Sequence, residues 1–221
     1  MKTFVSLWSA DLTRVADAMA VVDEATDGYH IDVMDGHFTP QLLFGPDFVS
    51  AVRQNTNKVI DVHLMVDAAD MWIAPFADAG ADMITIHTCS TTNLAASLDA
   101  IRELGKSPSL ALTTGEPVVD GFETALDHDR LLLMGTEIGI KGVDIDPNVY
   151  SRIEEAYAIR DKQRPGVEIF VDGGIRSHTV GKLAAAGADG VIPGSLVFGV
   201  ADPASAIAHL HSLGVGEGVR P

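Results

Sequence analysis

Short apolar runs recur along the chain at an even pace, and between them the apolar spacing lengthens from a period of 2 to one of about 3.6 residues. The runs predict strands over Thr3–Leu7, Tyr29–Met34, Val59–Met65, Met83–His87, Ser109–Leu112, Arg130–Met134, Glu168–Val171 and Gly190–Ile192. The intervening segments predict helices over Leu12–Ala25, Pro46–Gln54, Ala69–Ala79, Asn93–Glu103, Val119–Leu126, Pro147–Arg160, His178–Ala186 and Pro203–Leu213. Strand–helix alternation implies parallel pairing through helical crossovers. Eight such units in 221 residues fit a closed (β/α)8 TIM barrel, with an open doubly wound sheet as the competing architecture. The tetrapeptide AGAD closes two of the helices, at Ala79–Asp82 and Ala186–Asp189, where glycine ends a helix in the left-handed conformation. It reads as a packing device.

The run HIDVMDGHF at His30–Phe38 breaks the apolar pattern. Alternation along a strand puts His30, Asp32 and Met34 on one face and Ile31 and Val33 on the other. Unpaired charge inside a protein costs several kcal/mol, so the polar face needs a partner. DVHLM at Asp61–Met65 and VDGG at Val171–Gly174 offer one, because His63 and Asp172 also fall at or near strand C-termini, where barrels carry their chemistry. Two His and two Asp make an N/O site for one divalent ion, Zn, Fe, Mn or Co, with His30 and His63 giving nitrogens and Asp32 and Asp172 oxygens. The plainer reading leaves each as a buried polar residue satisfied by backbone. Carboxylates on opposite sides of a mouth suit proton removal from one face of a carbon and return to the other, with the ion stabilising an enediolate.

Glycine-bearing turns follow the last three strands: GIKG at Gly139–Gly142 (with Ile140 and Lys141), Gly173–Gly174, and Gly194–Ser195. Barrels commonly hold phosphate there on backbone N–H groups. Lys141 either pairs with that phosphate or is solvated. Met34, Met65 and Met134 close strands at the same end, as core filler or as an apolar collar around the reacting centre.

Charge narrows the partners. Fifteen basic against 31 acidic residues give 15 − 31 = −16, which disfavours nucleic acid and acidic membranes and leaves a small anion to be captured locally. Hydrophobic residues make up 47% of the chain, enough for a sizeable core, and no window approaches the ~18 apolar residues of a membrane span. The opening ten residues do not read as a secretory signal. The lone Cys89 fits a reducing cytoplasm. One domain over 1–221 is expected, with a loose tail from about 214, and exposed apolar positions such as Trp72 make a homo-oligomer reasonable. His37 and His87 are expected at the mouth, His128 and His178 at helix ends or the surface.

Together SLWSAD, HIDVMDGHF, DVHLM, AGADMITIH, VDGGI and PGSLVFG, in this order, resemble the ribulose-phosphate 3-epimerase family from about Phe4 to about Asp202. The resemblance implies a metal-dependent (β/α)8 isomerase acting at C3 of a ketose phosphate. It implies His30, Asp32, His63 and Asp172 as metal ligands, and Asp32 and Asp172 as the acid/base pair. Ser6 is implied as a substrate contact, and Gly139–Gly142, Gly173–Gly174 and Gly194–Ser195 as phosphate contacts. Three loops depart from the family pattern. The usual NPGFGGQ reads Glu137–Val143, with Ile138 for Pro, Lys141 for Gly and Val143 for Gln. The usual N-P-G-T-P reads Thr113–Pro117, and the usual H-x-E reads His87-Thr88-Cys89. Ribulose 5-phosphate/xylulose 5-phosphate is therefore the first expected pair. The same chemistry on allulose 6-phosphate or a tetrulose phosphate is the alternative, and a non-catalytic phosphosugar-binding barrel a more distant one. A decarboxylase of the orotidine-phosphate kind wants a D-x-K-x-x-D array, and His30–Asp35 holds no lysine.

Overall fold

The computed structural model describes residues 1–123 and 126–213. Its nine strands are β1 (Lys2–Ser6), β2 (Gly28–Asp35), β3 (Leu42–Leu43), β4 (Val59–Met65), β5 (Met83–His87), β6 (Ser107–Leu112), β7 (Arg130–Met134), β8 (Glu168–Asp172) and β9 (Gly190–Ile192). All but β3 pair in parallel in the order β1-β9-β8-β7-β6-β5-β4-β2, and pairing of β1 with β2 closes the barrel. The chain is thus a (β/α)8 TIM barrel. The short β3 runs antiparallel to the end of β2, opposite Met34 and Asp35, and edges the mouth. Among the described residues, eight α-helices surround the sheet: α1 (Val15–Val22), α2 (Pro46–Arg53), α3 (Asp70–Asp78), α4 (Leu94–Glu103), α5 (Val149–Gln163), α6 (Val180–Ala186), α7 (Ser195–Phe198) and α8 (Pro203–Ser212).

Strand positions agree with the apolar pattern to within two residues at every end. The helical expectation over Val119–Leu126 is corrected: Val118–Phe122 forms a 3-10 turn, and the expected segment runs on through residues 124 and 125, which are outside those described. Gly121 sits in this turn because a Cβ there would come 2.7 Å from Leu131. The first helix begins at Val15, three residues late, because Asp11 accepts the Thr13 N–H and folds that stretch into a turn. Asn93 and Asp202 cap α4 and α8 by accepting the Ala96 and Ser205 N–H groups, contacts worth about 1 kcal/mol each. The expected loose tail from 214 lies outside the described residues.

Two apolar layers follow from strand alternation. Tyr29, Ile31, Val33, Val62, Leu64, Ile84, Ile86, Leu131, Leu133, Ile169 and Val171 point outward into the large core under the helices. A small inner cluster, Phe4, Ala111, Leu132, Met134, Phe170 and Ile192, fills the barrel axis. Both AGAD segments brace the sheet in the same way. Gly80 and Gly187 are left-handed at φ +110° and +106°. Asp82 accepts the Ile60 N–H and pairs with Arg53, and Asp189 accepts the Ile169 N–H and pairs with Arg160.

Candidate active site

Register and parity bring the polar residues of three strands together. Asp32 pairs with His63 across β2 and β4, and Asp172 ends β8. His30 and His63 are fully buried and Asp32 nearly so, while the Asp172 side chain keeps 15% exposure toward the mouth. Nε2 of His30 lies 3.3 Å from Nδ1 of His63 and 3.4 Å from Oδ1 of Asp32. Asp172 Oδ2 lies 3.9 Å from each of these nitrogens, and Asp32 Oδ1 lies 3.8 Å from His63 Nδ1. Four donor atoms, one per residue, all sit within 4.8 Å of one another. Ligands held at 2.0–2.2 Å on a tetrahedral ion stand about 3.3–3.6 Å apart, so this donor set fits a divalent cation.

The surroundings fix each donor. Nδ1 of His30 is 3.0 Å from Asp61 Oδ2, which leaves Nε2 for the cluster. His63 stacks on His87, with ring centroids 4.9 Å apart, and its Nε2 lies 2.8 Å from His87 Nε2. With Nδ1 of His63 bare toward the cluster, Nε2–H donates to His87. Asp32 divides its oxygens: Oδ1 faces the imidazoles and Oδ2 accepts the Ser6 hydroxyl at 2.8 Å.

Electrostatics favour a cation at this point. Burial opposes charge on His30, but Asp32 and Asp61 beside it win and raise its pKa well above the usual histidine value. Burial, with His87 and His30 alongside, holds His63 well below that value and hence neutral. Burial first, and then the Asp32 carboxylate, push Asp172 up to about 7. Without an ion, protons on His30 and toward Asp172 thus supply the positive charge in this enclosed space, and a divalent cation would take their place.

A cavity of ≈300 Å³ opens from the cluster to the mouth. Ser6, Asp32, Met65, Met134 and Asp172 form its inner part, and Gly139, Ile140, Lys141, Gly142, Gly173, Gly174, Gly194 and Ser195 its outer part. Gly139, Gly142, Gly173 and Gly174 all have left-handed φ, from +69° to +90°. A Cβ on Gly139 would meet Thr39 at 2.9 Å, so glycine is what lets the loop after β7 close against the loop after β2. Lys141 Nζ donates to the Trp8 carbonyl at 2.5 Å and sits 4.0 Å above the Trp8 ring. Burial lowers its pKa, and the Asp32 carboxylate opposes that shift.

Of the residues anticipated at the site, Met34 and His63 do not line the cavity. Met34 is buried beside Met65, and His63 lies behind the inner wall. His87 is buried against His63 and is also absent from the lining, while His37 is exposed. His128, expected near the surface, is buried at 1% exposure beside Arg164. Sequence reasoning missed Asp61, Arg130, Trp8, Ser9, Thr136, Glu137 and Arg176. Asp61 carried a usable signal, since it shares the parity of His63.

This barrel, with a His2Asp2 cluster at the C-terminal ends of its strands and a glycine-walled cavity beside it, is an enzyme scaffold able to set two acid/base carboxylates around one cation. The sequence profile of the ribulose-phosphate 3 epimerase family matches residues 2–198, and the chain belongs to that family, among the isomerases acting on carbohydrate phosphates. It is 36% identical over 205 residues to the ribulose-phosphate 3-epimerase of Mycobacterium leprae, covering 93% of this chain and 91% of that one. The Bacillus subtilis enzyme of the same name is 34% identical over 212 residues, covering 95% and 98%. Among solved structures, KGPDC from Streptococcus mutans superposes with TM-score 0.71 at 18% identity, over 96% of this chain and 96% of that one, a likeness of fold. Among the described residues no helix is long and apolar enough to cross a membrane.

Proposed function

We propose that the protein epimerises a ketose phosphate at C3 by a two-base mechanism, with D-ribulose 5-phosphate and D-xylulose 5-phosphate as the substrate pair. The observation that carries this reading is the placement of Asp32 and Asp172 on separate strands around one donor cluster, both reaching the same cavity. Asp32, its Oδ2 held by Ser6, takes the C3 proton from one face of the carbon. Asp172, which burial and the Asp32 carboxylate push up to about 7 in the ion-free cluster, delivers a proton to the opposite face; the reverse reaction exchanges the roles. His30, His63, Asp32 and Asp172 would hold a divalent ion, which supplies Lewis-acid stabilisation for the charge that develops on the ketose oxygens. Met65, Met134 and Ile192 keep water from the reacting carbon. The phosphate lies at the outer end of the cavity, against the N–H groups of Gly142, Gly173, Gly174, Gly194 and Ser195, with Lys141 beside them.

Lys141 also supports a second reading, in which the same proton transfers act on a different ketose phosphate such as a hexulose 6-phosphate. Its side chain stands in the outer cavity on Trp8 and changes both the length and the charge of that end. Comparing kcat/KM for four-, five- and six-carbon ketose phosphates separates the two, and preference for the pentulose removes the second. Prolonged chelation is expected to abolish turnover, and readdition of a divalent ion to restore it; a metal-free preparation with full activity contradicts the ligand assignment. A cytoplasmic location and a homo-oligomer belong to the same proposal, supported by the lone free Cys89 and by exposed Met71 and Trp72 on α3. Sedimentation at micromolar concentration tests the oligomer, and a monomer contradicts it.

A further inference from the structure

Directly beneath the cluster, the barrel encloses an arginine. Arg130 is the largest fully buried side chain among the described residues, at 2% exposure. Its guanidinium carbon lies 3.6 Å from the Phe170 ring centroid and 4.3 Å from that of Phe4. The slot is built for these rings. A Cβ on Gly190 would come within 2.2 Å of Phe170, and one on Gly28 within 2.8 Å of Phe4, so both strands use glycine where the rings lie. Arg130 Nη1 donates to Asp61 Oδ2 at 3.3 Å and Nη2 to Glu168 Oε2 at 3.1 Å. Glu168 is tied in turn to Lys2 at the N-terminal end of the barrel. The same Asp61 Oδ2 also lies 3.0 Å from His30 Nδ1, while Oδ1 accepts the Thr85 hydroxyl at 2.7 Å. A line of charged groups therefore runs up the barrel axis and ends on a residue of the donor cluster.

Burying an ion pair is weak evidence for stability, because apolar residues of similar volume commonly serve as well. The neighbouring interior positions of β7, Leu132 and Met134, are indeed apolar. What Arg130 adds that an apolar residue would not is a fixed orientation for Asp61. A carboxylate held by two donors besides the imidazole cannot rotate away from it, and the hydrogen bond it takes from Nδ1 decides which nitrogen of His30 faces the cluster.

We propose that Arg130 is the positioning residue of the cluster: its guanidinium fixes Asp61, Asp61 holds His30 with Nδ1–H turned inward and Nε2 bare toward Asp32, His63 and Asp172, and the affinity for a divalent cation depends on that arrangement. The inference rests on the proposed metal reading of the cluster and names a residue that touches neither ion nor substrate. The same geometry accounts for the placing of Thr85, whose hydroxyl holds the far oxygen of Asp61.

The test is zinc binding to the metal-free full chain by competition with a chromophoric chelator, for the wild type, Arg130→Met and Arg130→Lys, with a thermal melt of each apoprotein. Methionine fills the slot between the aromatic rings but leaves the buried Asp61 carboxylate without Arg130, so the Arg130→Met melt is expected to fall, while Arg130→Lys keeps a cation there. Arg130→Met is expected to bind zinc about 10–100-fold more weakly, and Arg130→Lys to recover part of the loss. A purely structural Arg130 would shift the melt and leave zinc affinity unchanged, and that result overturns the proposal. Nitrogen-resolved NMR of the zinc-loaded wild type is independent of any variant: a protected proton on Nδ1 of His30 is expected, and a proton on Nε2 contradicts the arrangement. A wild type that binds no zinc refutes the metal reading itself, and this inference with it.

Discussion

Lys141 brings a charged side chain into the outer cavity, and replacing it by methionine isolates the charge. The ammonium has three N–H donors and spends one on the Trp8 carbonyl, while its face rests on the Trp8 ring. Two donors remain for an anion in the outer cavity. A hydrogen bond to a charged group contributes about 1.5–3 kcal/mol. The residue is exposed at the surface of its loop, so solvent screening reduces this to about 1–2 kcal/mol, or roughly 5–30-fold in kcat/KM. Because the phosphate stays put while the proton moves, the contact is equal in ground and transition states. The loss is expected in KM, with kcat nearly unchanged. Steady-state kinetics of Lys141→Met on the best ketose phosphate, at low and moderate ionic strength, makes the measurement. The deficit should shrink as salt rises. An unchanged kcat/KM at low salt refutes the phosphate contact, and a fall confined to kcat refutes the uniform-binding argument and points to a role at the reacting carbon.

Other positions give independent checks. Gly173 sits at φ +90°, and a Cβ there would fall 2.3 Å from Thr136 Oγ. Gly173→Ala should cost about 1–3 kcal/mol, a fall of roughly 2–12 °C in melting temperature, and an unaltered melt contradicts the strain. Burial, with the Arg164 guanidinium next to it, pushes His128 down to about 4. The unfolded chain titrates this histidine near 6.5 and so binds more protons between those values; stability should fall as pH drops from about 6.5 to 4, by at most about 3 kcal/mol. His128→Phe should flatten that limb relative to wild type in denaturant titrations across the range, and parallel curves contradict the burial argument.

The parts of this protein that obey a local rule were legible in its sequence. Alternation in HIDVMDGHF and DVHLM gave the inward faces of β2 and β4, because a strand carries its own parity wherever it is placed. The left-handed glycines of AGAD were legible for the same reason. What escaped depends on contacts between strands far apart in the chain. Arg130 shares a face with Leu132 and Met134, but its partners Asp61 and Glu168 lie 69 and 38 residues away. Without the closed barrel nothing distinguishes it from an arginine at a strand edge. His128 was misplaced because a polar residue between a helix-like segment and a strand usually faces water, whereas here Arg164 reaches over from the end of α5 and covers it. The Val118–Phe122 segment has helical apolar spacing, yet it forms a 3-10 turn that sets Gly121 against Leu131.

The central claim, that Asp32 and Asp172 serve opposite faces of one carbon, is tested most directly by hydrogen exchange in deuterated water. Each epimer is supplied separately to Asp172→Asn, with bound metal measured beforehand to confirm loading. Wild type should interconvert the epimers with deuterium entering C3 of the product. In the variant, interconversion should fall by a factor of about 100–10,000. Exchange at C3 without inversion should persist for the one epimer whose hydrogen faces Asp32 and vanish for the other. A metal-loaded variant that still interconverts the epimers at the wild-type rate, or that exchanges both equally, contradicts the account.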